Sequence, residues 1–229
     1  ADVLKRQNQL LLENAQLRED VERITRHDIK SPLNGIINYP ALIKSEGQLS
    51  EKQIDKLDKV IQLGRKMLNM INMSLDLYKM EQGTYVVNAE TVDLMQVFGE
   101  IMDENRIRLK SKKMNIDLLI SGKPTVESDQ FMVRGEKLLL YSMLSNLFKN
   151  AVEASPKKEN VTFQMKHEEG GSVSIHNQGV VPEEIRDTFF EKYATAGKSG
   201  GTGLGTYSAR LIAETMGGQI LLDTSEEKG

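Results

Sequence analysis

The chain has 229 residues with 39% apolar, 28% charged and only 5% aromatic side chains, no Trp, no Cys and a formal net charge of −3. That length allows one large or two modest domains with proper cores, and so few aromatics favour helices with thin apolar stripes over a large β-sandwich. The charge gives no footing for nucleic acid, the absence of cysteine excludes disulfides and thiol chemistry while allowing a reducing, cytoplasmic setting, and no run approaches the about 20 apolar residues of a membrane span.

The chain opens already in helical pattern, without a signal peptide, and is expected to be a piece of a longer protein. Val3, Leu10, Leu17 and Ile24 recur every seven residues with polar Gln7 and Asn14 between them, the seam of a weak parallel coiled coil. The helical pattern continues through Arg26-His27-Asp28-Ile29-Lys30-Ser31-Pro32 and past Leu42-Ile43. A histidine followed by an acid on an exposed helix face is suited to nucleophilic chemistry. The Asp28 carboxylate can hold one ring nitrogen of His27 and take up the proton as the other nitrogen attacks. Pro32 removes a donor and is expected to loosen the helix just after His27, and Pro40 is a second kink candidate. Glu46-Gly47-Gln48-Leu49 reads as a turn, and Ser50 with Gln53 as a capping box for a second helix ending near Gln82-Gly83. Two long helices joined by a short turn form an antiparallel hairpin, which on dimerisation gives a four-helix bundle.

From about Thr84 the pattern mixes strands and helices. Tyr85-Val86-Val87, Asn115–Ile120, Phe131–Arg134, Val161–Met165, Ser172–Ile175 and Gln219–Leu222 read as strands. Val92 to about Lys112, Glu136–Ala154 and Leu204–Met216 read as helices, with a shorter one from Pro182 to about Phe189-Phe190. Elements in this order indicate an α+β layer sandwich.

Three stretches of this second region carry chemistry. Asn146 and Asn150 lie four apart on one helix, so their amide oxygens share a face and suit Mg²⁺ held jointly with phosphates. Asn177-Gln178-Gly179 follows an apolar strand, where a side chain can read the polar edge of a base while Gly179 permits a tight turn. The run from Lys192 through Lys198 to Gly201-Thr202-Gly203-Leu204-Gly205 leads into a helix. Its glycines let backbone N–H groups approach phosphate, its lysines add charge, and its composition is that of a lid.

The order His27-Asp28, Asn146-xxx-Asn150-Ala151, Asn177-x-Gly179, Phe189-Phe190 and Gly201-Thr202-Gly203-Leu204-Gly205 resembles the H, N, G1, F and G2 boxes of sensor histidine kinases across nearly the whole chain. The resemblance implies an α+β protein: a helical hairpin forming a dimeric four-helix bundle, then an α/β-sandwich ATP-binding domain of the Bergerat type. Its divisions would be a coiled-coil linker over 1–24, a dimerisation and histidine phosphotransfer domain over 25–83, and the ATP-binding domain over 84–229. His27 would be phosphorylated from ATP, with Asp28 as its base, and the phosphoryl group passed to an aspartate of a response regulator docked near Asn34, Asn38 and Tyr39. Asn150 would be the Mg²⁺ ligand, with Asn146 near the metal or phosphates, and Asn177 would face the adenine amine. The segment Gly201, Thr202, Gly203, Leu204, Gly205 would wrap the triphosphate, with Lys192 and Lys198 as lid cations. Partners would be a second copy and the regulator, and any membrane attachment would come from an upstream sensor region.

Departures from the family pattern carry expectations of their own. Asn177 stands where the family has Asp, which would weaken nucleotide affinity by about 1 kcal/mol. Ser31 stands where Thr or Asn commonly orients a water for dephosphorylating the regulator. Glu153 stands where many members place a phosphate-facing Lys, and the chain stops before the domain's expected last strand. These departures motivate an alternative, a degenerate kinase acting mainly as a response-regulator phosphatase or docking scaffold. A nucleotide-hydrolysing ATPase is disfavoured, because Asn146 stands where such enzymes carry a glutamate to activate water, and an amide is a poor base. His167 and His176, on expected strands, read as structural.

Overall fold

The structure, a computed structural model, describes Arg6 and residues 29–167, 171–195 and 203–225. His27, Asp28 and, apart from Arg6, the heptad segment lie outside the described residues. The chain divides into two compact units, Ala1–Lys79 and Met80–Gly229.

In the first unit, α1 (Lys30–Glu46) and α2 (Glu51–Glu81) form the expected helical pair, α2 ending in the second unit. Pro32 follows Ile29, whose backbone is helical, and α1 runs on through buried Pro40. At the start of α2 the side chain of Gln53 accepts from the Ser50 amide at 2.9 Å and from the Ser50 hydroxyl at 2.7 Å. Lys44 donates to Asp58 across the pair at 2.6 Å. Gly64 explains a glycine in mid-helix: a Cβ there would stand 2.8 Å from Ile37 Cγ1, so its absence lets α2 approach α1. Ile36, Tyr39, Leu42, Leu63, Met67 and Met70 leave an apolar surface exposed in the single chain.

The second unit holds β1 (Glu90–Asp93), α3 (Leu94–Lys112), β2 (Asn115–Ile120), β3 (Lys123–Pro124), β4 (Met132–Gly135), α4 (Lys137–Ala154), β5 (Asn160–Lys166), β6 (Ser172–His176) and α5 (Gly205–Thr215). A four-stranded sheet runs β3-β2-β5-β6, with β2 parallel to β5 and the other pairs antiparallel. A separate antiparallel pair joins β1 to β4. On β5 the period of two turns Val161, Phe163 and Met165 inward, against α3 and α4. Phe163 is the centre of this core, edge-on to Phe98 of α3 at 5.0 Å and stacked on Phe148 of α4 at 5.5 Å.

Three polar ties fix the helices. Asp93 accepts from the Met95 amide, capping α3, and from the Phe131 amide, both at 3.0 Å. Lys112 Nζ donates to the carbonyls of Val152, Glu153 and Ser155 at 2.6, 3.1 and 3.0 Å, placing an ammonium at the negative end of α4. At the other end of α5, Gly217 (φ 79°) turns the chain left-handed while Gly218 N–H donates to the Ala213 carbonyl, closing that helix as its Gly-Gly pair suggests.

Four expectations change. Tyr85-Val86-Val87 is irregular: the segment is held by Glu136, which accepts from the Tyr85 hydroxyl at 2.9 Å and the Asn88 amide at 3.1 Å, while Val86 faces solvent. Val92 belongs to β1, the helix beginning only after the Asp93 cap. The segment after Pro182 forms a 3-10 turn, Glu183–Ile185, followed by turns rather than a helix. Residues 219–222 form no strand: no described strand pairs with them, and Leu221 is exposed.

Replacing Phe163 with Ala removes the ring between two helices, and a buried Phe→Ala change costs about 3–5 kcal/mol. The expected outcome is a clear drop in the denaturation midpoint of the second unit, followed by near-UV circular dichroism and urea titration. A Phe163→Leu variant is expected to lose less than half as much.

Candidate functional site

The rotation of α4 about its axis creates the site. Leu140, Leu144, Phe148 and Val152, four residues apart, turn into the core. The opposite stripe, Asn146, Lys149, Asn150 and Glu153, therefore lies on the wall of a cleft of about 2470 Å³. The wall is shared with β6, the loop at Asn177–Pro182, Phe189-Phe190, the start of α5 and residues 216–225, and one end reaches apolar residues such as Phe131, Val133, Leu140 and Leu144.

Asn146 and Asn150 are half-buried, and neither amide has a hydrogen-bond partner among the described residues. A Cβ placed on Gly205 would meet the Asn146 side chain at 3.9 Å, so the first turn of α5 stands against that amide. Among the described residues no side chain caps α5 at Leu204, so its first amides can meet an anion at the positive end of the helix. Thr206 is buried in the same turn and lines the cleft, a residue the motif reading passed over.

On the loop after β6, the Asn177 amide nitrogen donates to the Gly179 carbonyl at 3.2 Å, a bond an aspartate at this position could not make. Its Oδ1 remains as an acceptor in the cleft lining. Gly179 is needed for close approach: a Cβ would stand 2.6 Å from the Ala154 carbonyl oxygen and 2.7 Å from the Ala154 Cβ. The loop thus rests directly on the end of α4. Nearby, the Val181 amide donates to Thr224 Oγ1 at 3.1 Å, which brings the segment after α5 to the cleft.

The glycine-rich segment is closed at its base. Tyr193 and Gly203 both have φ of 66°, and the Tyr193 amide donates to the Gly203 carbonyl at 3.0 Å. A Cβ on Gly203 would lie 2.5 Å from the Tyr193 backbone, so both the angle and the space call for glycine. Lys198, Gly201 and Thr202 lie outside the described residues, whereas Gly203, Leu204 and Gly205 lead into α5.

Lys192 is engaged away from the cleft lining. Its Nζ lies 2.7 Å from Glu81 and 5.1 Å above the Tyr207 ring, and Tyr207 donates to the same carboxylate at 2.9 Å. Hydrogen bonding to Glu81 raises the Lys192 pKa. Burial, then the Glu81 bond, raises that of the Tyr207 phenol. Glu153 is also engaged, 2.7 Å from Arg108 of α3. Ser31 is exposed in the first turn of α1, and Asn34, Asn38 and Tyr39 are exposed further along it. His176 lines the cleft at the end of β6, and His167 stacks on Phe131 at 4.2 Å.

Among the described residues no group of three acids or histidines is gathered to hold a metal ion. Asn146 and Asn150 offer two adjacent hard oxygens in the cleft, so a divalent cation held by them would share its coordination with a bound phosphate. An acceptor at the loop, paired amides on the helix and a helix start preceded by Gly203 together form a cleft with the chemistry to hold a nucleoside polyphosphate.

Residues 17–83 match the family model of the His Kinase A (phospho-acceptor) domain, and residues 135–229 that of the histidine kinase-, DNA gyrase B-, and HSP90-like ATPase. The chain is similar to the sensor histidine kinase AruS of Pseudomonas aeruginosa, 27% identical over 214 residues covering 89% of this chain and 21% of that protein. It is similar also to the sensor histidine kinase GacS of Pseudomonas protegens, 25% identical over 230 residues covering 95% of this chain and 24% of that protein. The chain therefore spans a quarter or less of these relatives. Its fold is similar to that of full-length ShkA, solved in complex with AMPPNP, with a TM-score of 0.61 and 20% identity over 87% of this chain and 41% of that one.

Gly179→Ala forces the loop off the end of α4, moving the Asn177 acceptor. ATP affinity measured by calorimetry is expected to fall about tenfold or more, the effect of about 1.4 kcal/mol, while the far-UV circular dichroism spectrum is retained.

Proposed function

This chain belongs to the sensor histidine kinases, and from that premise we propose that it is the ATP-dependent phosphotransferase core of one, phosphorylating its own His27 and passing the phosphoryl group to an aspartate of a response regulator. The observation that carries the reading is the pair of unpartnered amides, Asn146 and Asn150, standing against the start of α5 in a cleft open to a nucleotide. A carboxylate in place of Asn146 could take a proton from water; an amide cannot. The cleft is therefore suited to holding a triphosphate for an external nucleophile rather than for hydrolysis.

In this reading Asn177 Oδ1 accepts from the adenine amine while Gly203, Leu204 and Gly205 bring backbone N–H groups to the phosphates. Gly201, Thr202 and Lys198 would complete that cradle, with Lys192 available to it once released from Glu81. Asn150 would hold Mg²⁺, whose charge would offset that of the phosphates. A ring nitrogen of His27 attacks the γ-phosphorus, a nitrogen–phosphorus bond forms and the bond to the leaving ADP oxygen breaks. Asp28 holds the other ring nitrogen and takes up the proton. The nitrogen–phosphorus bond then breaks as a regulator carboxylate oxygen takes the phosphoryl group. The exposed apolar side chains Ile36, Leu42, Leu63, Met67 and Met70 of α1 and α2 suit pairing with a second copy into a four-helix bundle, with Asn34, Asn38 and Tyr39 left for the regulator. Residues 1–24 would serve as a coiled-coil linker, 25–83 as the dimerisation and phosphotransfer domain and 84–229 as the ATP-binding domain. No helix among the described residues is long and apolar enough to cross a membrane. In this reading the reaction runs in the cytoplasm, where ATP is available, with any membrane attachment coming from an upstream sensor region.

A second reading, a degenerate member serving mainly as a regulator phosphatase or docking scaffold, draws on Ser31, whose exposed hydroxyl could orient a water, and on the acid at Glu153 in the cleft wall. Incubation with γ-labelled ATP separates the two. The expected result is acid-labile label on the wild type and none on His27→Ala, with ATP binding equal in both. Label that persists in His27→Ala refutes the phosphoacceptor assignment, and an unlabelled wild type that still binds ATP favours the second reading.

A further inference from the structure

Lys149 has no role in the motifs that define the cleft, yet it stands in the same stripe. Residues 146, 149, 150 and 153 follow the i, i+3, i+4, i+7 spacing of one helix face, and all four line the cleft. Lys149 is half-buried there, and its ammonium has neither an ion pair nor a hydrogen bond among the described residues. Its natural partner on the helix would be Glu153, four residues on, in the spacing at which opposite charges pair. That carboxylate is instead drawn towards α3, where Arg108 Nη2 lies 2.7 Å from Glu153 Oε1. A lysine head group left without a counter-charge on a concave wall is an anion site in waiting, because partial burial favours a partner for any charge. The neighbours fit an anion: the amides of Asn146 and Asn150 on either side along the helix, and the uncapped start of α5 against Asn146.

We propose that Lys149 is the counter-charge for the β- and γ-phosphates of the bound nucleoside triphosphate, and that Arg108 holds the Glu153 carboxylate off those phosphates. This rests on the nucleotide reading of the cleft given above. Lys149 thus supplies from the position before Asn150 the positive charge that Glu153, one turn further on, cannot. Arg108 acts through Glu153 alone and is a positioning residue. The charge arrangement distinguishes nucleotides by their phosphate number, since a cation at the terminal phosphates adds nothing to the binding of a monophosphate.

Calorimetric titration of the chain with ATP, ADP and AMP at fixed Mg²⁺ tests this on the wild type, Lys149→Met and Lys149→Arg. Lys149→Met is expected to weaken ATP binding at least tenfold and ADP less, with AMP within twofold of wild type, while Lys149→Arg keeps ATP within about threefold. Retained AMP binding shows that Lys149→Met is folded and its base site intact. An equal loss for all three nucleotides, or no loss for ATP, overturns the role of Lys149 while leaving the nucleotide reading standing. A wild type that binds none of the three overturns both. For Arg108, Arg108→Met is expected to weaken ATP, and the double variant Arg108→Met with Glu153→Gln to recover it. Failure of that recovery overturns the positioning role.

Discussion

The register of one helix governs the second unit. Phe148 of α4 stacks on Phe163 of β5, and Phe163 meets Phe98 of α3 from the other side. Once these rings are seated, α4 cannot rotate without opening the core at Leu140, Leu144 and Val152 together. Each buried side chain of that size contributes about 1.5–3 kcal/mol relative to exposure. The same constraint decides which residues of α4 meet the cleft. Asn146 and Asn150 are placed by the packing of the side chains on the opposite face, so the precision of a polar site is inherited from an apolar one.

Around that fixed wall the other contributors are held by short-range devices. The Asn177 loop is seated by the absence of a side chain at Gly179, and the glycine-rich segment is closed by the Tyr193–Gly203 bond. Glu81 gathers Lys192 and Tyr207, from the two flanks of that segment, onto a single carboxylate. The wall of the cleft and the base of the glycine-rich segment are thus held by separate contacts.

Elements with a strong local period were legible in the sequence. The spacing of Leu140, Leu144 and Phe148, the alternation through Val161, Phe163 and Met165, and the Gly-Gly end of α5 each specify their own conformation. Strands that depend on a distant partner were not legible in the same way. Tyr85-Val86-Val87 has the composition of a strand, but Glu136 takes hydrogen bonds from the segment and no ladder forms. Gln219–Leu222 likewise has the residues, and no described strand pairs with it. The paired amides could be read from their spacing alone, and Lys149 could have been read from the same rule. The engagement of Glu153 by Arg108 and of Lys192 by Glu81 could not, because each joins residues far apart in the chain whose encounter only the tertiary fold decides.

The triple bond of Lys112 to the end of α4 has a consequence for the floor of the cleft. Helices usually finish on a glycine that folds the chain back on itself, and such an ending is insensitive to charge. Here the Ser155 amide and hydroxyl both donate to the Ala151 carbonyl, and the ammonium of Lys112, borrowed from another helix, holds the carbonyls of Val152, Glu153 and Ser155. Were that side chain truncated, three carbonyls would lose its hydrogen bonds at a point one turn from Asn150. The end of the helix that carries the paired amides is in this way tied partly by charge to a neighbouring helix.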